Sequence, residues 1–160
     1  MGLTVSKAEP ADVPAIVELL DELDRFYGAA TPSSAGARSA QVRNLLFDDP
    51  AGINVVLARQ GDDPVGLASY AFLWPAAGVT RSLYLKELYV RAAFRRRGVG
   101  SMLMQHLRDI AVESGCSRVE WTADDDNPQA LRFYEQLGYC PRGGKVFFRL
   151  ELDGDPDSSV

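Results

Sequence analysis

Leu85-Lys-Glu-Leu-Tyr-Val-Arg-Ala-Ala-Phe-Arg-Arg-Arg-Gly-Val-Gly-Ser101 reads as a strand, a short arginine-rich loop and a helix opened by two glycines. An acidic chain has gathered Arg91, Arg95, Arg96 and Arg97 within seven residues. Gly98 and Gly100 let bare backbone approach a ligand and permit positive φ without steric cost. Successive N–H groups at a helix start, with the helix dipole behind them, favour an anion such as a pyrophosphate. The segment therefore outlines an anion site between a strand and a helix.

Around this segment the periodicity alternates between strand and helix. Leu3 to Glu9 alternates with β-branched residues and predicts a first strand. Asp12 is placed to cap a helix with Pro14 in its first turn, and Ile16, Leu19, Leu20, Leu23 and Tyr27 form its apolar stripe. Glu18, Asp21, Glu22 and Asp24 lie on the opposite face, either as a solvated surface or as an acidic wall for a cationic ligand. Gly28 to Gly36 reads as loop, and a second helix is expected over Ala37 to Phe47, ended by Asp48-Asp-Pro50. Two strand-like runs, 53–58 and 65–73, flank the turn Gly61 to Pro64 and predict a hairpin. Trp74 to Gly78 turns the chain into a third strand, Ser82 to Arg91, completing an antiparallel meander.

Beyond the arginines, Val99, Met102, Leu103, Leu107, Ile110 and Ala111 form one helical face, closed by Gly115. Arg118 to Ala123 reads as a short strand. Asn127 can then cap a helix that starts with Pro128 and stops at Gly138. Tyr139 to Leu152 is expected to hold the last strands, around Pro141-Arg-Gly-Gly144, with 153–160 as an acidic, loosely ordered tail. The length fits one domain, 1–152, of the mixed α/β class.

Bulk properties narrow the function. A net charge of −5 argues against a general nucleic-acid binder. No apolar run reaches the roughly 18 residues of a membrane span, and no signal-like segment opens the chain. Cys116 and Cys140 lack metal-type spacing, so a reduced, cytoplasmic protein without a metal is expected, a disulfide between them being the alternative. His106 borders an apolar helical stripe and reads as structural. A P-loop is absent, and the dinucleotide fingerprint lacks its third glycine, since Leu103 stands there.

Arg95-x-x-Gly98-x-Gly100 between a hydrophobic strand and an amphipathic helix resembles the cofactor motif of the GNAT superfamily of N-acetyltransferases. Asn127-Pro-Gln-Ala-Leu-Arg-Phe-Tyr-Glu-Gln-Leu-Gly-Tyr139 resembles the second signature of that superfamily, in its order and spacing. The resemblance implies a mostly antiparallel sheet of about six to seven strands flanked by helices. It implies acetyl-CoA as co-substrate, with its pantetheine arm along Leu88, Tyr89 and Val90. The pyrophosphate would rest on the loop of Arg95, Arg96, Arg97, Gly98, Val99 and Gly100, with Ser101 at the helix start; one of the three arginines would meet the cofactor's remaining phosphate, and Asn127 would also lie on the cofactor side.

Tyr134 matches the tyrosine that protonates the departing thiolate, and a backbone N–H near Leu88 would hold the oxyanion. Glu87 is the candidate base for the acceptor amine, directly or through water; a structural or substrate-holding role is the alternative. Phe133 reads as packing. No cysteine lies in either motif to carry an acyl group, which favours direct transfer in a ternary complex. Leu83 to Val90 and Gly115 to Trp121 are similar to the diamine (spermidine/spermine-type) branch, except that Lys86-Glu87 replaces two adjacent acids. A small cationic amine is the expected acceptor, with protein lysine or N-terminal amines and a non-catalytic acetyl-CoA-binding regulator as alternatives. Dimerisation is common in the superfamily, and composition leaves it open.

Overall fold

The computed structural model describes residues 2–29, 34–48 and 52–155. The chain divides into two compact units, Met1–Thr122 and Ala123–Val160. The first contains β1 (Leu3–Lys7), α1 (Val13–Phe26), α2 (Ala35–Arg43), β2 (Asn54–Gln60), β3 (Asp63–Leu73), β4 (Arg81–Val90), α3 (Val99–Glu113) and β5 (Cys116–Glu120). The second contains α4 (Pro128–Gln136).

The sheet runs β1-β2-β3-β4-β5, the first three pairings antiparallel and the last parallel. The meander arises where the sequence placed its turns. Gln60 faces Asp63 across the Gly61-Asp62 turn, and Gly61 takes φ 62°, which glycine adopts freely. Val55 to Ala58 are four consecutive buried residues, a pattern that requires both sheet faces to be covered. On one face Ile16, Leu19 and Leu23 of α1 pack with Ala8, Val55, Leu57, Leu67 and Tyr89. On the other, α3 buries Val99, Leu103, Met104, Leu107 and Ala111. Gly66 makes that second contact close: a Cβ there would lie 2.9 Å from the Tyr89 carbonyl oxygen and 3.3 Å from Val99 Cγ1.

Several expectations need correction. Among the described residues five strands form instead of about six to seven. The difference lies after α4, where the residues from Tyr139 to Leu152 form no ladder and Val146, Phe147, Phe148 and Leu150 are exposed. Pro141 removes a ladder donor, and Gly144 with φ 91° breaks the extended path. Asp12 stands at the N-cap of α1, but its side chain makes no capping bond there. It closes the short 3-10 turn Pro10–Asp12 by accepting the Glu9 N–H at 2.8 Å, and it pairs with Arg59 at 2.7 Å.

Tyr27 lies past the end of α1 and is exposed, so the apolar stripe stops at Leu23. The second helix ends at Arg43 and passes into a wide π-type turn, Asn44–Asp48; the expected stop at Asp49 and Pro50, and 30–33 of the preceding loop, lie outside the described residues. Cys116 and Cys140 are both free. No described helix is long and apolar enough to cross a membrane.

Candidate functional site

The site in the first unit is built from the outer edge of β4 and the loop that follows it. Parallel pairing with β5 covers Arg81 to Tyr84 and ends at Glu120. From Leu85 to Val90, no described strand pairs with β4 on the β5 side. Such an edge offers alternating N–H and C=O groups to an extended, amide-bearing chain.

The strand carries a bulge there. Ser69 faces Glu87 but Tyr70 faces Leu85, so Lys86 is the inserted residue. The register puts Glu87 and Tyr89 opposite Ser69 and Leu67, on the α1 face, and Leu88 and Val90 opposite Ala68 and Gly66, on the α3 face. Beyond the bulge Leu85 and Leu83 face Tyr70 and Phe72, on the α3 face. Lys86 is exposed, Glu87 half-buried, and the Tyr89 side chain buried. Tyr89 and Val99, both core residues, are left to act on a ligand through their backbone alone.

The loop ends in two left-handed residues, Arg96 at φ 61° and Gly98 at φ 82°. Gly98 is the N-cap of α3 and brings no capping side chain, and no acid stands in the first turn. The first helical bond runs from the Met102 N–H to the Gly98 carbonyl at 3.0 Å. The N–H groups of Val99, Gly100 and Ser101 thus lie ahead of the ladder, where an anion is favoured by the dipole. A Cβ on Gly98 would meet nothing within 4 Å, so glycine is required there by its φ.

The four arginines separate into different roles. Arg91 is not part of the anion site: with 18% of its side chain exposed, it pairs with Glu22 at 3.2 Å, Glu18 at 3.2 Å and Asp63 at 3.6 Å. Arg95 turns back, its Nε donating to the Val90 carbonyl at 3.0 Å and its guanidinium lying over Phe26 and Tyr89. Arg96 and Arg97 are exposed, Arg97 with its guanidinium 5.4 Å from the Phe94 ring centre.

Pairing also accounts for the acids of α1. Arg38 bridges Asp21 at 2.8 Å and Asp24 at 3.0 Å, while Arg91 holds Glu18 and Glu22. Neither a fully solvated face nor an unpaired acidic wall describes them. The Tyr89 hydroxyl donates to Glu22 Oε2 at 3.2 Å. Burial first, and then the adjacent Glu22 carboxylate, push the Tyr89 phenol upward, against a smaller opposing pull from Arg95. Tyr89 is thereby kept a neutral donor.

In the second unit, Asn127 caps α4 as expected, its Oδ1 accepting the Ala130 N–H at 3.1 Å. Tyr134 is half-buried on that helix, its ring 5.0 Å from Phe133. Asp124, Asp125 and Asp126 are exposed in the preceding loop. Among the described residues no group of three His, Cys, Asp or Glu side chains is placed to hold a metal.

Comparison with known proteins agrees with this architecture. The chain is 30% identical over 146 residues to thialysine N-epsilon-acetyltransferase of Caenorhabditis elegans, covering 91% of this chain and 88% of that protein. It is 35% identical over 113 residues to an L-ornithine N5-acetyltransferase of Arabidopsis thaliana, covering 70% of this chain and 50% of that protein. The structure of an integron cassette protein from the mobile metagenome of V. cholerae matches with a TM-score of 0.87 at 29% identity, covering 96% of this chain and 95% of that one. The profile of the Acetyltransferase (GNAT) family matches residues 16–139, and the chain belongs to that family as an N-acetyltransferase.

Proposed function

We propose that this enzyme transfers the acetyl group of acetyl-CoA to the primary amine of a small cationic acceptor, by direct attack in a ternary complex. The observation that carries the reading is the β4 edge from Leu85 to Val90, which no described strand pairs on the β5 side and which runs straight into the Arg96–Ser101 anion cradle. An extended pantetheine arm followed by a pyrophosphate has the same order of chemistry. Backbone of Leu88, Tyr89 and Val90 would hold the arm; the N–H groups from Gly98 to Ser101, with arginine charge beside them, would hold the pyrophosphate.

The bound thioester supplies an activated acyl carbon with a thiolate leaving group. The new N–C bond forms as the C–S bond breaks, so the amine must lose a proton and the sulfur must gain one. An alkyl ammonium has a pKa of about 10.4 in water, and Glu87 is assigned to receive its proton, directly or through water. Tyr134, aligned with the second family signature, is assigned to supply the proton to the thiolate, and Asn127 to the cofactor side. A thiol of pKa about 8.5 and a phenol of pKa about 10 are close enough for this transfer within a hydrogen bond.

For the acceptor, the relatives named for thialysine and L-ornithine act on amino acids with a side-chain amine. Lys86 in the bulge beside Glu87 favours the same class here, because its charge opposes a polycation and tolerates a carboxylate. Calorimetry with acetyl-CoA, followed by thiol-release assays across basic amino acids, diamines, polyamines and peptide amines, tests the reading. Turnover is expected with basic amino acids first. Tight acetyl-CoA binding without release on any acceptor would show a regulator instead, and release with peptides alone a protein acetyltransferase.

A further inference from the structure

We propose that Arg95 is a positioning residue that staples the anion cradle in place, and that Arg96 and Arg97 supply the charge that meets the phosphates. The inference rests on the acetyl-CoA reading for its ligand, but its geometry is internal to the first unit. Three contacts turn Arg95 inward. Its Nε donates to the carbonyl of Val90, five residues back, at 3.0 Å. Its guanidinium carbon lies 5.1 Å from the centre of the Phe26 ring and 5.7 Å from that of Tyr89. The side chain is half-buried where its two neighbours are exposed.

The staple answers a conformational problem. Arg96 is the one non-glycine residue with positive φ among the described residues, a conformation that persists only where the surroundings fix it. Backbone bonds hold the turn before it, Phe94 N–H to Arg91 carbonyl at 2.9 Å and Arg95 N–H to Ala92 carbonyl at 3.3 Å. After Arg95, the next described backbone bond is Met102 to Gly98, in α3. Arg96 and Arg97 lie in the turn between these bonds, Arg97 against Phe94, and the side chain of Arg95 ties the start of that turn to the end of β4 and to the last residue of α1.

The bond to the Val90 carbonyl requires a planar donor, and the charge enters only through the two weaker ring contacts. Glutamine keeps a planar N–H donor without charge; lysine keeps the charge without a planar group. Calorimetry of the full chain with CoA at low and high salt, on wild type, R95Q, R95K, R96A and R97A, separates the roles. R95Q should bind CoA within about threefold of wild type, and R95K should lose about tenfold. Both Arg95 variants should keep the wild-type salt dependence, while R96A and R97A should flatten it.

The proposal is overturned if R95K binds like wild type while R95Q loses affinity and salt dependence, since that marks a direct charge contact. Amide hydrogen exchange of the ligand-free variants gives a reading that does not depend on CoA. Faster exchange at the hydrogen-bonded amides of Phe94, Arg95 and Met102 in R95K than in R95Q and wild type supports the staple, and wild-type exchange in both variants overturns it. If the wild type does not bind CoA, the acetyl-CoA reading fails, and the exchange comparison still decides the staple.

Discussion

The Nε of Arg91 lies 3.2 Å from Glu22 Oε1, and the other oxygen of that carboxylate takes the Tyr89 hydroxyl at 3.2 Å. One carboxylate on α1 thus fixes Tyr89 of β4 and Arg91 just past the strand end, where the chain leads into the anion cradle. Arg91→Ala would leave Glu22 partly buried without its counter-ion and release Glu18 and Asp63. We expect a loss of about 3 kcal/mol, below the full penalty for a wholly buried pair because Glu18 and Asp63 remain hydrated. Glu22→Gln should cost less, about 1 kcal/mol, because Arg91 keeps two other carboxylates and the amide oxygen can still accept from Tyr89. Urea unfolding of both variants checks the order; an equal loss would show that the network does not centre on Arg91.

Gly66 lets α3 and the end of β4 pack close against β3. A Cβ there meets backbone at 2.9 Å, which cannot move away as a flexible side chain would. Gly66→Ala should therefore destabilise by about 1–3 kcal/mol as an overpacking change. Because Gly66 pairs with Val90 and touches Val99, the strain falls on the β4 end and the α3 start, and CoA affinity should fall along with stability. Thermal unfolding and calorimetry on the same sample test the coupling. Unchanged affinity in a destabilised variant would separate the packing of α3 from the cradle.

Much of this was legible in the sequence. The meander, the stripe on α1, the glycine-opened α3 and the Asn127 cap all follow from local patterns that the tertiary structure leaves intact. The bulge at Lys86 was hidden for a physical reason. Leu83, Leu85 and Tyr89 are buried at alternate positions, so the strand reads as unbroken. Both sheet faces are covered, and the inserted residue moves burial from the α1 face at Tyr89 to the α3 face at Leu85 without interrupting the pattern. Partner choice was equally invisible. Spacing grouped Arg91 with the three loop arginines, but Glu18, Glu22 and Asp63 come from α1 and β3 and meet it only on folding. The strands expected after Tyr139 show the opposite error, because apolar alternation marks a strand only where a ladder partner exists.

Asp12 gives a pH signature separate from catalysis. Burial pushes its carboxyl upward, but the Glu9 N–H and the Arg59 guanidinium outweigh that and hold it below the usual carboxylate range. A carboxyl depressed in the folded state stabilises above its unfolded pKa of about 3.9 and loses that contribution as pH falls through the folded value. Asp12→Asn should therefore be less stable than wild type at neutral pH, with the gap closing below about pH 4. Urea midpoints at both pH values test this, and a gap that stayed constant into acid would remove the ionised pair as its source.

The assigned proton carriers call for different kinetic signatures. Tyr134→Phe removes only a hydroxyl, so acetyl-CoA affinity should hold while kcat falls by about 10²-fold, the lower range for a general acid. Glu87→Gln keeps shape and loses the base. Its kcat/KM should fall similarly at neutral pH and recover at alkaline pH, where more free amine is present. A pH profile of kcat/KM for both variants distinguishes them. If Glu87→Gln raises KM for the acceptor alone with kcat unchanged, Glu87 holds the substrate and does not take its proton.

Lys86 sits at the inserted position of the bulge, exposed and next to Glu87 in sequence. Restoring the pair of acids with Lys86→Glu changes the local charge by about two units without disturbing a buried contact. Because the group is hydrated, each charge interaction there is worth about 1 kcal/mol or less, which sets the scale of the response at several-fold. The variant should gain several-fold in kcat/KM on a polyamine and lose on a basic amino acid whose carboxylate the lysine had tolerated. The ratio of the two values is the informative quantity, since changes in folding or in acetyl-CoA binding cancel from it. Salt should compress the shift in that ratio if it is electrostatic. A ratio that does not move would place acceptor selection away from the bulge, and Asp124, Asp125 and Asp126 would be the next residues to change.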